Sequence, residues 1–169
     1  VSAAALSARG ASVALIDRGD FAGFTSQESS NLVWGGIKYL ENYEFPLVRK
    51  LCMSRNRLMR AYPANVKEIG FLGVLGENAP FPPWVVGVGA FAYWGIGNFK
   101  TNAPRPMSPE TVERIEPIIN TVGTVGGIEY ADAYLKDNDA RFVFSFIRSA
   151  MDVGAVAANY VELENAERV

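Results

Sequence analysis

The start of the chain has the residue pattern of half of a nucleotide-binding βαβ unit. Residues 1–9 are rich in Ala and Leu and predict a helix, which Gly10 is placed to end in a left-handed conformation. Residues 12–17 form a short apolar run that predicts a buried parallel strand ending in Asp17. A carboxylate there can accept hydrogen bonds from ribose hydroxyls, although an ordinary buried strand with a surface aspartate is the alternative. The glycine loop of such a unit would lie just before Val1.

Two polar segments that follow contain further groups able to bind an anion or a flat ligand. The stretch 25–31, TSQESSN, offers hydroxyls and backbone N–H groups that can cradle a phosphate, but taken alone it favours a polar turn that caps a helix. Gly35 and Gly36 allow a flat ligand to approach the backbone closely. Beside them, Lys38 can hold an anion and Tyr39 can donate a hydrogen bond. A tight turn with solvated side chains has the same composition.

The remaining sequence supplies the elements that must position these groups. Apolar residues return with a helical period from Glu44 to Tyr62, and the proline after Tyr62 favours an end there. Ser108 and Pro109 are typical of a helix start, with Ser108 as the N-cap. The later predicted elements are a strand at 128–135, a helix at 139–153 and a second buried strand at 155–163. Residues 12–17 and 155–161 are each preceded by a predicted helix, and we expect them to be neighbouring parallel strands of one sheet.

Composition excludes several kinds of site. The chain has no histidine, which removes a Ser-His-Asp triad and an HExxH zinc site. A single cysteine, Cys52, excludes an internal disulfide and a cysteine-rich zinc site, so no metal site is predicted. The net charge of −2 argues against nucleic-acid binding, which needs a basic face. An apolar content of 49% is typical of a chain that buries a core.

The chain begins with Val1 inside a predicted helix and carries no readable signal peptide. We therefore expect an internal segment of a longer, cytoplasmic protein. Residues 71–99 carry one charge, Glu77, and their longest uninterrupted run, from Trp84 to Gly97, has 14 residues. That run is shorter than the roughly 18 residues of a membrane span. We expect this stretch to be buried in the rest of the protein; peripheral contact with the inner face of the cell membrane is the alternative.

Two longer runs resemble one enzyme family. Residues 9–51 read RGASVALIDRGDFAGFTSQESSNLVWGGIKYLENYEFPLVRKL, and residues 126–150 read GGIEYADAYLKDNDARFVFSFIRSA. The first run is similar to the N-terminal flavin domain of FAD-dependent glycerol-3-phosphate dehydrogenases, in the amino-acid-oxidase-like flavoprotein superfamily. It resembles their strand ending in an acid, their Thr-Ser-x-x-Ser-Ser loop, their Gly-Gly block and their Tyr-Glu-Phe helix start. The second run resembles their Tyr-x-Asp … Asp-Ala-Arg segment, so the resemblance is collinear over nearly the whole chain.

The resemblance implies which positions bind FAD and substrate. Asp17 matches the acid on the adenosine ribose, and Val161 matches a later strand whose backbone meets the adenine. The loop along the pyrophosphate and ribityl chain is matched by Thr25, Ser26, Ser29 and Ser30. The segment beside the flavin ring is matched by Asn31, Leu32, Val33, Trp34, Gly35 and Gly36. Lys38 and Tyr39 match an Arg-Tyr pair near the glycerol-phosphate pocket.

The implied reaction is oxidation of sn-glycerol 3-phosphate to dihydroxyacetone phosphate, with hydride passing to flavin N5 and electrons onward to quinone. The base for the 2-hydroxyl and the phosphate-clamping arginines are expected outside these residues, so no catalytic residue is assigned and this segment alone is expected to be inactive. Three positions depart from the family: Asn31 stands for a Lys, Trp34 for a His and Lys38 for an Arg. They leave two alternatives open, a related flavin oxidoreductase acting on another hydroxy or amino compound, and a non-catalytic flavin-binding protein.

The resulting fold prediction is α/β, a Rossmann-like FAD-binding domain, incomplete at both ends, with part of the substrate-domain insertion. The FAD-binding domain is expected at residues 1–62 and 136–169, and a substrate or cap-like segment at 63–135. The implied partners are a small-molecule phosphate substrate and a quinone acceptor. No oligomeric state follows from the sequence.

Overall fold

The computed structural model describes residues 1–167 of the chain, so the last two residues of the predicted segment 136–169 lie outside the described residues. The fold mixes helices and strands, which confirms the predicted α/β class. Its elements in chain order are α1 (Ser2–Ser7), β1 (Ala14–Ile16), β2 (Leu32–Val33), the 3₁₀ helix η1 (Ile37–Asn42), α2 (Phe45–Ala61), β3 (Val66–Gly76), α3 (Pro83–Ile96), β4 (Arg105–Met107), α4 (Pro109–Ile115), β5 (Thr124–Leu135), α5 (Asp139–Asp152) and β6 (Val156–Ala158).

These elements form two compact units. The first unit consists of Val1–Asn31 and Leu135–Val169, and the second of Leu32–Tyr134. The division of the chain by function, at residues 62 and 135, stays a prediction.

The first unit contains a parallel pair of strands with two helices. Strands β1 and β6 pair in register, with Ala14 opposite Val156 and Ile16 opposite Ala158. Helix α5 packs against both β6 and α1. The prediction that two short apolar runs, each preceded by a helix, become neighbouring parallel strands of one sheet is confirmed.

These strands are less buried and shorter than the sequence indicates. Ile16 is 38% exposed and Val156 is 68% exposed, because two short strands give few neighbours to side chains that point alternately to opposite faces. The second strand was expected to reach residue 163 but ends at Ala158. Tyr160 adopts φ 56°, a left-handed conformation that cannot continue a strand, so Val161 lies beyond the strand rather than on it.

The second unit is built on a four-stranded sheet with the order β2-β5-β3, in which β4 also pairs with β5. Strands β2 and β4 run antiparallel to β5. Helix α2 packs against α3 and η1. Val48 and Cys52 of α2 meet Tyr93 of α3 in the buried centre of this unit. The helix predicted at 44–62 is confirmed, because α2 runs from Phe45 to Ala61.

Two helices, η1 and α3, were not predicted. No secondary structure was predicted in the apolar stretch 71–99, yet this stretch contains the 14-residue helix α3. Pro83 stands in the first turn, where its missing N–H costs nothing, and Trp84 and Val88 are 72% and 62% exposed. Among the residues that the structure describes, no helix is both long and apolar enough to cross a membrane.

Candidate active site

Two predicted site residues from opposite ends of the sequence meet at the carboxyl end of β1. The Oδ1 atom of Asp17 accepts a hydrogen bond from the backbone N–H of Gly19 at 2.9 Å. The backbone carbonyl of Asp17 accepts another from the N–H of Val161, also at 2.9 Å. The chain after β6 is therefore folded onto the turn after β1, and Asp17 and Val161 are neighbours.

A cavity of about 350 Å³, the first-unit cavity, opens beside Asp17. Its lining comes from α1, β1, the turn after β1 and α5, with side chains that include Leu15, Asp17, Phe21, Phe146 and Ile147. Asp17 is the acidic group among apolar and aromatic walls. Such a crevice, outside the carboxyl ends of parallel strands, is where ligands bind in open α/β sheets.

The end of the polar loop 25–31 holds the start of helix α5. Ser29 Oγ accepts a hydrogen bond from the N–H of Asn31 at 3.0 Å, and Asn31 Oδ1 accepts one from the N–H of Asp139 at 2.8 Å. Asp139 is the first residue of α5, so Asn31 helps to satisfy the free N–H groups at that helix start. Thr25, Ser26 and Ser30 lie in the same turn-rich loop and are exposed or half-buried.

The second unit has its own cavity of about 510 Å³, the second-unit cavity. It is lined by Trp34, Ile37, Lys38, Leu40, Glu41, Tyr43, Phe81, Val85, Val86, Gly89, Ala90 and Tyr130. Trp34 and Lys38, two residues singled out in the sequence, thus share one mostly apolar cavity. Tyr39 is not part of this lining; its ring centroid lies 6.0 Å from that of Trp34. Leu32 and Val33 form the short strand β2 that leads to the cavity.

The second unit also contains a buried charged cluster that the sequence did not reveal. Asp132 of β5 is fully buried and Arg55 of α2 is 2% exposed, and their side chains form an ion pair at 2.9 Å. The hydroxyl of Tyr93 donates to Asp132 Oδ2 at 2.7 Å. The backbone N–H of Gly35 lies 3.1 and 3.0 Å from the two carboxylate oxygens. The thiol of Cys52 donates to the Gly35 carbonyl at 3.6 Å.

Burial and the interactions within this cluster shift the pKa values of three of its members. Burial raises the pKa of the Tyr93 hydroxyl far above its usual range, and the charge of Asp132 adds to the effect. Burial likewise raises the pKa of the Cys52 thiol, although Arg55 opposes it. Burial alone would lower the pKa of Arg55, but its hydrogen bond to Asp132 brings that pKa above its ordinary value. Tyr93 and Cys52 therefore remain donors at neutral pH, and Arg55 remains charged.

The same cluster explains why residue 35 is glycine. A Cβ on Gly35 would lie 2.0 Å from the Tyr93 hydroxyl oxygen and 2.9 Å from the Cys52 sulfur. Gly36 has φ 82°, and its Cβ would lie 2.8 Å from a Leu51 methyl carbon. Packing inside the second unit thus accounts for both glycines, whether or not a ligand approaches them from the other side.

A sequence signal for part of this cluster existed. Arg55 falls three residues after Cys52 and seven after Val48, on the apolar stripe of α2. A charged residue on such a stripe is rarely buried without a partner. The partner, Asp132, could not be found by spacing, because it lies in a distant strand. Among the described residues, no group of three or more acidic or cysteine side chains could hold a metal ion.

Comparison with known proteins identifies the family. The family model described as FAD-dependent oxidoreductase (DAO) matches residues 1–169. The glycerol-3-phosphate dehydrogenase of Pseudomonas tolaasii is 33% identical over 163 residues, which cover 90% of this chain and 28% of that protein. The D-erythritol 1-phosphate dehydrogenase of Brucella abortus is 32% identical over 161 residues, covering 95% of this chain and 31% of that protein.

The fold agrees with this match. The glycerol-3-phosphate dehydrogenase from Bacillus halodurans, solved in complex with FAD, aligns with a TM-score of 0.63 and 19% identity over 99% of this chain and 25% of that chain. The present chain spans about a quarter to a third of the length of these relatives. FAD, the cofactor predicted from the sequence, is the cofactor named by the family model. The chain belongs to the family of FAD-dependent oxidoreductases.

Proposed function

We propose that the protein oxidises sn-glycerol 3-phosphate to dihydroxyacetone phosphate and passes the electrons to a quinone. The observation that carries this proposal is the position of Lys38, which lines the second-unit cavity together with Trp34. A cation in a largely apolar cavity suits a small substrate with one anionic end. The name of the relative from Pseudomonas tolaasii supports the same substrate.

The first unit fits the adenosine part of FAD. The carboxylate of Asp17 borders the first-unit cavity at the end of a parallel strand, where it can accept hydrogen bonds from ribose hydroxyls. The apolar walls of this cavity, among them Phe21 and Phe146, suit a flat base. We assign Asp17 and the backbone at Val161 to this part of the cofactor. The loop with Thr25, Ser26, Ser29 and Ser30 is assigned to the pyrophosphate and ribityl chain.

We assign residues 31–36 to the flavin ring, of which Asn31 belongs to the first unit and 32–36 to the second, and we assign Lys38 with Tyr39 to the substrate phosphate. When bound, FAD supplies the hydride acceptor. These residues orient the bound substrate and exclude water from it. The Trp34 indole forms part of the cavity wall, and Lys38 provides a positive charge. Glu41 lines the same cavity and can accept a hydrogen bond from a substrate hydroxyl.

A second candidate substrate is a longer polyol phosphate. The relative from Brucella abortus, a D-erythritol 1-phosphate dehydrogenase, is about as similar to this chain as the glycerol-3-phosphate dehydrogenases are. Its substrate has the same anionic end and a longer hydroxylated chain. Comparing kcat/KM for glycerol 3-phosphate and D-erythritol 1-phosphate in the intact protein decides between them.

The Lys38→Ala variant of the intact protein is expected to raise KM for glycerol 3-phosphate. A lost hydrogen bond to a charged group costs about 1.5–3 kcal/mol, which corresponds to a decrease in kcat/KM of about tenfold or more. The effect falls mainly on KM, because the phosphate contact is common to the ground and transition states. Lys38→Arg should retain much of the activity, since Arg can donate two hydrogen bonds to a phosphate.

Lys50→Ala is the matched control, because Lys50 is exposed on α2 and does not line the cavity. In steady-state kinetics of the three variants, we expect the Lys50→Ala variant to have the kcat/KM of the wild type. An unchanged kcat/KM in the Lys38→Ala variant would show that Lys38 does not bind the phosphate.

A further inference from the structure

The segment that joins β2 to η1 lacks regular structure of its own. Strand β2 ends at Val33 and η1 begins at Ile37, so residues 34–36 lie outside any ladder or helix. Two consecutive peptide groups of this segment are nevertheless fixed from the protein interior. The N–H of Gly35 is held by the Asp132 carboxylate, and the carbonyl of Gly35 by the Cys52 thiol.

We propose that Asp132, supported by Arg55 and Tyr93, is a positioning residue that sets the orientation of the Trp34–Gly36 backbone in the active site. This inference rests on the proposed placement of that segment beside the flavin and substrate. In a planar trans peptide the N–H and the preceding C=O point in opposite directions. Holding the Gly35 N–H on Asp132 therefore turns the Trp34 carbonyl away from the cluster, and holding the Gly35 carbonyl on Cys52 does the same for the Gly36 N–H.

Both oxygens of the Asp132 carboxylate are held by hydrogen bonds from side chains. Asp132 Oδ1 accepts from Arg55 Nη1 at 2.9 Å and Oδ2 from the Tyr93 hydroxyl at 2.7 Å. Arg55 is itself held by the side chain of Asn56, at 3.2 Å from its Nε and 3.1 Å from its Nη2. Asn56 in turn donates to the Gly97 carbonyl at 2.8 Å. These hydrogen bonds thus fix the orientation of the Gly35 peptide relative to α2, α3 and β5.

Stability alone is a weak reason for such a cluster. The desolvation of a buried ion pair largely offsets its attraction, and well-packed apolar residues often serve stability as well or better. A network in which every member is hydrogen-bonded does, however, specify one geometry. The adjacent segment carries Trp34, a wall residue of the second-unit cavity, so a fixed backbone there has a direct use in binding.

The test has three measurements on the intact protein. Amide hydrogen exchange is measured without FAD or substrate, and the absorption spectrum of bound FAD and the KM for glycerol 3-phosphate are measured on the FAD-loaded protein. Asp132→Asn keeps the size of the side chain but removes its charge. We expect the Gly35 amide to exchange at least tenfold faster, the absorption bands of bound FAD to shift, and KM to rise severalfold. Tyr93→Phe, which leaves Arg55 and Gly35 on the carboxylate, should give smaller changes of the same kind.

Val112→Ala is the matched control for a general loss of packing, because Val112 is fully buried in the second unit but contacts Gly127 rather than Gly35. It should lower Tm, yet the exchange rate of the Gly35 amide relative to the amides of β5, and the flavin spectrum, should stay as in wild type. The proposal is overturned if Asp132→Asn and Tyr93→Phe leave both the Gly35 exchange and the flavin spectrum unchanged, or if Val112→Ala reproduces their effects. Failure of the wild type to oxidise glycerol 3-phosphate would contradict the proposed function only, since exchange and spectrum need no substrate.

Discussion

Replacing Asp132 by alanine is expected to lower the free energy of unfolding of the intact protein by about 3–5 kcal/mol. The change leaves the Arg55 guanidinium, only 2% exposed, without its counter-charge. It also removes the acceptor for the Gly35 N–H and the Tyr93 hydroxyl. Buried donors without partners add to the loss. Denaturant unfolding followed by circular dichroism measures the difference.

Two further variants test whether the unpaired buried charge causes the lower free energy of unfolding of Asp132→Ala. Glu129→Ala breaks the pair between Arg105 and Glu129, whose side chains are 61% and 43% exposed, and is expected to cost under about 1 kcal/mol. Adding Arg55→Met to Asp132→Ala should recover part of the stability, because the unpaired charge is gone. Equal losses for Glu129→Ala and Asp132→Ala would contradict this explanation.

The Asp17→Ala variant is expected to bind FAD about tenfold to a hundredfold more weakly. A hydrogen bond between a carboxylate and a ribose hydroxyl contributes about 1.5–3 kcal/mol. Asp17→Asn separates the loss of the ribose contact from disruption of the turn after β1. Its amide oxygen can still accept the N–H of Gly19, while the negative charge is lost. We expect Asn to retain the turn and to bind FAD with intermediate affinity. Titration of the apoprotein with FAD, followed by flavin fluorescence, gives the dissociation constants.

Asp137→Ala is the control for this experiment. Asp137 is an exposed acid of the first unit, 4.0 Å from Arg141, and does not line the first-unit cavity. Its FAD affinity should equal that of the wild type. If Asp17→Ala also binds FAD as tightly as the wild type does, the carboxylate at the end of β1 does not bind the ribose.

Local patterns predicted the elements whose formation depends on neighbouring residues. The apolar period predicted α2, and Ser108 was correctly identified as the N-cap of α4, where its Oγ accepts the N–H of Thr111 at 3.4 Å. The parallel pairing of β1 with β6 followed from two apolar runs that each come after a helix. Helix α3 was missed because its glycines lower helix propensity, while packing against α2 stabilises the helix in the folded chain.

What the sequence could not predict is the contact between distant residues. Arg55 and Asp132 belong to a helix and a strand far apart in the chain, and no spacing rule joins them. The predicted reason for Gly35, close approach by a ligand, was incomplete, because the Tyr93 hydroxyl already occupies the position of a side chain. Asn31 was predicted beside the flavin, yet its visible role is to hold the start of α5. Its contact with the cofactor stays a prediction, as do the other assigned contacts.

The proposed oxidation of glycerol 3-phosphate requires that hydride pass from this substrate to FAD. The most direct measurement is the visible absorption of the purified intact protein, mixed with glycerol 3-phosphate in the absence of oxygen. We expect a yellow protein whose flavin absorption bleaches, with one dihydroxyacetone phosphate formed for each FAD reduced. A colourless protein that takes up no FAD, or a flavin that glycerol 3-phosphate leaves oxidised while another hydroxy or amino compound bleaches it, would contradict the proposal.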